Sequence, residues 1–182
     1  PLSNLDARLR LQTREELRRI QRETKITTIF VTHDQEEAMS ISDLIIVMKA
    51  GTAQQIGRPQ EVYDDPDNLF VAKFLGTPPI NVFEGEVRSG KLYIGREAVM
   101  DAAQLPDQKV WVGVRPEGFV LDKDGPLTCR LGRVEVMGRD ISVVCSHPLC
   151  ENAAIRAIIS AENDVDTRAN QVCFALKPSK TY

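Results

Sequence analysis

Gly76-Thr77-Pro78-Pro79 constrains the fold of this chain more than any other stretch. Proline lacks an amide donor and pushes the residue before it toward extended backbone, so no helix passes through this segment. A stiff connector results. Before it, apolar residues recur at helical spacing or in continuous runs; after it, short alternating runs are separated by turn residues. Two domains are therefore expected, residues 1–76 and residues 77–182.

In the first, Leu5, Leu9, Thr13, Leu17 and Ile20 fall three or four apart and predict an amphipathic helix from residue 5 to about residue 23, capped by Ser3 or Asn4. Arg10, Arg14, Arg18 and Arg22 line the other face, which reads as solvated and ion-paired rather than as a nucleic-acid surface. Residues 27–32 (TTIFVT) are β-branched and almost continuously apolar, as in a parallel strand covered on both faces. Asp34, with Glu37 three residues later, forms a variant capping box and starts a short helix to about Ile41. Residues 43–48 and 53–56 read as strands joined by a turn at residues 49–52. Two short helices follow, from Pro59 to about Pro66 and from Asn68 to Leu75. Helix, strand, helix, strand is the rhythm of an α/β layer.

In the second domain, residues 82–87, 91–94, 109–114, 119–121, 128–136, 141–145, 154–159 and 172–176 read as strands. Their spacing predicts a small all-β barrel or sandwich. Val110, Val112 and Val114 should face one side of their strand and Trp111 the other.

Charge limits the partners. Residues 1–76 carry 10 Lys and Arg against 12 Asp and Glu, and residues 77–182 carry 13 against 14. Neither half has the basic excess of a polyanion binder, so no nucleic acid is expected. No apolar run reaches the roughly 20 residues of a membrane helix, and no signal-peptide pattern opens the chain, so a cytoplasmic location is expected. Cys129, Cys145, Cys150 and Cys173 all lie in the second half and read as reduced thiols, three of them in apolar runs. Cys145, His147 and Cys150 form a C-x-H-x-x-C pattern, which a zinc ion could use with a distant fourth ligand; it lacks the paired C-x-x-C of a zinc knuckle.

His33, one of two histidines, stands between the apolar run and the acidic helix start. In an open parallel sheet, ligands bind beyond the C-terminal ends of the strands. An imidazole there can donate a hydrogen bond to a phosphate oxygen or orient a water, beside helix amides that favour anions. The alternative is a strand-end histidine bonded to a neighbouring carbonyl.

Three segments, in order, settle that choice. Residues 1–10 (PLSNLDARLR), residues 31–39 (VTHDQEEAM) and residues 55–66 (QIGRPQEVYDDP) resemble the C-terminal portion of the ATP-binding subunit of ABC importers, the carbohydrate-uptake group that includes the maltose and glycerol-3-phosphate importers. Beyond the connector, residues 113–117 (GVRPE) are similar to a signature of that group's regulatory domain. The resemblance implies an α/β fragment, the C-terminal part of a P-loop NTPase-type nucleotide-binding domain, followed by a regulatory barrel like those that bind oligonucleotides and oligosaccharides.

It also implies roles. His33 matches the switch histidine that touches the γ-phosphate of ATP, and Ser3 to Asp6 match the D-loop, with Asp6 reaching toward a partner's phosphate loop across a head-to-tail dimer. Partners implied are a second copy of the chain and membrane permease subunits, at the inner face of the membrane. ATP and Mg²⁺ belong to the full-length parent, with neither expected on this chain alone and no metal ligands assigned. Phosphoryl transfer needs a glycine-rich loop with its lysine and a Mg²⁺-holding acid, and no G-x-x-x-x-G-K-[ST] occurs in the sequence. The catalytic glutamate of the family would precede Pro1, so this chain is expected to be inactive alone, and residues 1–76 are expected to be loosely ordered or to pair with another chain. The alternative reading is a stand-alone barrel that binds an effector or an oligonucleotide.

Overall fold

The computed structural model describes residues 7–182. The chain forms two compact units that part between Gly76 and Thr77.

In the first unit, α1 spans Ala7–Thr24 and α2 spans Gln35–Ile41. Strands β1 (Ile45–Lys49) and β2 (Thr52–Gly57) pair antiparallel, and α3 (Pro59–Asp64) and α4 (Leu69–Phe74) complete the unit. The β1–β2 turn has positive φ at both Ala50 and Gly51, the two-residue geometry whose twist matches that of the strands. Alternation then decides the core. Ile45 and Val47 point inward with Val62, Val71 and Leu75, and Ala38 and Met39 of α2 pack beside them. Ile46, Met48 and Ile56 are left exposed.

Three expectations fail in this unit. Residues 27–32 form no strand; Ile29 and Val31 are about 90% exposed, at 89% and 91%. A continuous apolar run signals two covered faces, yet a strand also needs a neighbouring backbone, and none pairs with it among the described residues. The unit is a mixed α/β fragment as expected, but its two strands among the described residues are antiparallel, so the expected parallel sheet is not found there. Finally, α1 is docked by its arginines, not by its apolar stripe. Arg14 is only 7% exposed, whereas Leu9, Leu17 and Ile20 are each more than 40% exposed. At that contact Arg10, Arg14 and Arg18 form ion pairs with Asp34, Glu36 and Asp43.

The second unit is all-β. Strands β3 (Asn81–Arg88), β4 (Lys91–Ile94), β5 (Glu97–Asp101) and β6 (Gln108–Val114) form one antiparallel sheet in the order β5-β4-β3-β6. Strands β7 (Phe119–Leu121), β8 (Leu127–Met137), β9 (Asp140–Ser146), β10 (Ile155–Ser160) and β11 (Gln171–Leu176) form a second, in the order β10-β9-β8-β11-β7. This second sheet curls until its end strands approach each other, a nearly closed barrel. Both sheets share one core, including Phe83, Val112, Phe119, Leu127, Ile155 and Phe174.

Strand β5 (EAVMD) is the one strand the sequence does not betray, being short and half polar. A bulge interrupts β8 between Leu131 and Arg133. The residue there is Gly132, where a side-chain carbon would stand 3.0 Å from the carbonyl oxygen of Val144. As expected, Val112 and Val114 are buried while Trp111 is half exposed.

Candidate functional site

The segment from Thr32 to Glu37 is built as a closed set of hydrogen bonds around His33. The N–H of Asp34 donates to the hydroxyl oxygen of Thr32 at 3.0 Å, folding a tight turn over the intervening histidine. The Thr32 hydroxyl donates in turn to Oε2 of Glu37 at 2.6 Å. Oδ1 of Asp34 accepts the N–H of Glu37 at 3.1 Å, which caps α2. Gln35 ties the same turn to the end of the unit, its side-chain oxygen accepting the N–H of Gly76 at 2.7 Å. Every residue flanking His33 is spoken for.

The imidazole itself is not. His33 is exposed and, among the described residues, its ring has no hydrogen-bond or ion-pair partner, which leaves both nitrogens facing outward to a ligand. A strand-end histidine satisfied by a neighbouring carbonyl is therefore not what is found.

The expected capping box closes on one side only. Asp34 takes the Glu37 N–H as expected, but the Glu37 side chain reaches Thr32 instead of returning to the cap backbone. That N–H is thus unavailable to an outside anion, and Asp34, Glu36 and Glu37 add acidic charge. Positive charge comes instead from α1. Nη1 of Arg10 and Nη2 of Arg14 lie 3.6 and 3.5 Å from Oδ2 of Asp34, and Nη1 of Arg14 lies 3.8 Å from Glu36. Further along, Arg18 donates to the carbonyl of Ile41 and, at 2.8 Å, to Asp43. Sequence spacing revealed the arginine stripe, but not that it grips the histidine turn. Ser3 and Asp6 lie outside the described residues.

The second unit offers no comparable site. Leu149 N–H donates to Nδ1 of His147 at 3.2 Å, so a neutral ring carries its proton on Nε2, which faces Glu97 Oε2 at 3.5 Å. A ring so fixed has no lone pair left for zinc. Among the described residues no group of three or more His, Cys, Asp or Glu side chains is placed to hold a metal ion. All four cysteines are free. The Cys145 thiol hydrogen-bonded to it, together with burial, pushes the Cys129 thiol far up, and burial pushes the Cys150 thiol up as well. Such thiols are poor nucleophiles.

An oligonucleotide platform is also missing from the outer face of the first β-sheet. Trp111 pairs across the strands with Glu84, and Lys109 with Glu86. The Tyr93 ring is covered by the Arg88 guanidinium at 4.3 Å. Strand-binding barrels instead present bare aromatics in a basic groove.

No family model matches the chain. Among curated proteins it is 47% identical over 148 residues to an ABC transporter ATP-binding protein of Mycoplasma genitalium, covering 80% of this chain and 25% of that protein. It is 46% identical over 134 residues to an sn-glycerol-3-phosphate import ATP-binding protein of Rhizobium etli, covering 74% of this chain and 37% of that protein. It is also 46% identical over 126 residues to the diacetylchitobiose uptake system ATP-binding protein of Streptomyces coelicolor, covering 65% of this chain and 33% of that protein. The chain spans 25% to 48% of the length of such relatives. By sequence it corresponds to the C-terminal part of the ATP-binding proteins of ABC importers.

Proposed function

We propose that the chain serves in the ATP-binding subunit of an importer for carbohydrates or related solutes, contributing the γ-phosphate-sensing histidine and a regulatory β domain. The observation that carries this reading is the uncommitted imidazole of His33, held out on a turn whose every other member is bonded. An N–H at that place can bind a γ-phosphate oxygen and hold the attacking water in line, and transfer of this kind depends on positioning and charge stabilisation. ATP with Mg²⁺ supplies the phosphoryl group; the glycine-rich loop and the acid that hold it are not among these 182 residues.

Ser3 and Asp6 take the D-loop role, reaching toward the nucleotide held by a second copy of the subunit. The partners are that second copy and a pair of membrane permease subunits at the cytoplasmic face of the membrane. No helix among the described residues is long and apolar enough to cross a membrane. Residues 77–182 form the regulatory domain. Support for the solute class comes from the relatives, whose names specify sn-glycerol-3-phosphate and diacetylchitobiose.

The test is ATP hydrolysis by the full-length subunit assembled with its permease in vesicles. Turnover should rise several-fold when the solute and its binding protein are added. Turnover indifferent to every carbohydrate and polyol phosphate supplied would refute the importer reading.

A further inference from the structure

We propose that Glu37 is the positioning residue for His33, acting through the Thr32 hydroxyl. The inference rests on the reading of His33 above and assigns a role to a side chain two elements of the turn away from it.

Glu37 is 2% exposed, the only acidic residue among the described residues that is buried to this degree. Its Oε1 has no hydrogen-bond partner among the described residues, while Oε2 accepts the Thr32 hydroxyl at 2.6 Å. Burying a carboxyl with one oxygen unsatisfied costs stability. A residue serving α2 alone would not need this arrangement, because Asp34 already caps the helix. What the arrangement does accomplish is to fix a rotor. A threonine hydroxyl turns freely until its proton is claimed. With that proton held by Glu37, its lone pairs are presented to the N–H of Asp34, the bond that closes the turn over His33.

Thr32 and Asp34 are the two covalent neighbours of His33. Locking both sets the Cα–Cβ direction of the histidine before any ligand arrives. Displacement of a positioned group by about 1 Å can cost on the order of 100-fold in rate.

Two measurements test this. In the full-length subunit, Glu37→Ala should speed hydrogen exchange of the Asp34 amide at least about tenfold, and Glu37→Gln, which keeps an acceptor oxygen, should restore most of the protection. In the full-length subunit, Glu37→Ala should lower kcat for ATP by about 10- to 100-fold with KM within about threefold, by the same positioning argument. Thr32→Val should match it, Thr32→Ser should recover most of the activity, and the double variant should be no worse than either single one. Should Glu37→Ala fail to fold, the Thr32 pair decides the matter alone.

An Asp34 amide unaffected by Glu37→Ala, or Thr32→Val at full activity while His33→Ala is inactive, would overturn the proposal and leave the reading of His33 standing. Full activity in His33→Ala would remove that reading, and the exchange measurement would still decide whether Glu37 holds the turn.

Discussion

His33→Ala in the full-length subunit is expected to lower kcat for ATP by about 100- to 1,000-fold, the range seen when one preorganised donor is removed from a developing charge. KM for ATP should stay within about threefold, because a donor of this kind counts most where charge develops in the transition state. The separation between kcat and KM carries the meaning. The ring makes no hydrogen bond or ion pair among the described residues, so its loss leaves the hydrogen bonds of Thr32, Asp34 and Glu37 in place. Asparagine or glutamine at position 33 should recover part of the rate by offering an N–H. Equal loss with alanine and glutamine, with normal folding, would point to proton transfer instead of hydrogen bonding.

The second large effect falls on the β unit. Phe174 is fully buried and meets Phe119 edge-to-face, with ring centroids 5.2 Å apart. Its strand lies between β8 and β7, so it touches both flanks of the curled sheet. Phe174→Ala is expected to destabilise this unit by about 3–5 kcal/mol, from lost burial together with the cavity left behind. For a domain of this size about 1 kcal/mol moves the thermal midpoint by roughly 4–8 °C, so the transition should fall by more than about 10 °C. A change below about 1 kcal/mol would mean that β11 is not central to the core.

These positions differ in how far the sequence disclosed them. The β domain was readable almost strand by strand, because each strand has one inward face and alternation records it; Val112 and Val114 against Trp111 are the plainest instance. Strand β5 escaped because Glu97 and Asp101 bracket only three apolar residues. In the first unit, residues 27–32 carry the composition of a buried strand but lack a neighbour to pair with, and composition reports the environment a segment suits, not what the chain supplies. The arginine stripe was visible at four-residue steps. Its docking onto Asp34, Glu36 and Asp43 was not, since charge spacing along one helix says nothing about which acids come to meet it.

At the site, the motif marked His33 and the Asp34 cap. Glu37 was visible only as a capping-box partner. Its bond to Thr32 depends on the backbone turning back at His33, which spacing alone does not encode.

The most direct test is a photoreactive ATP analogue with its reactive group on the γ-phosphate, bound to the full-length subunit with Mg²⁺ and irradiated. The label should be recovered within residues 26–49, the tryptic peptide that contains His33, and His33→Ala should reduce it sharply. Label confined to residues 77–182, or unchanged in the His33 variant, would contradict a γ-phosphate contact at this turn.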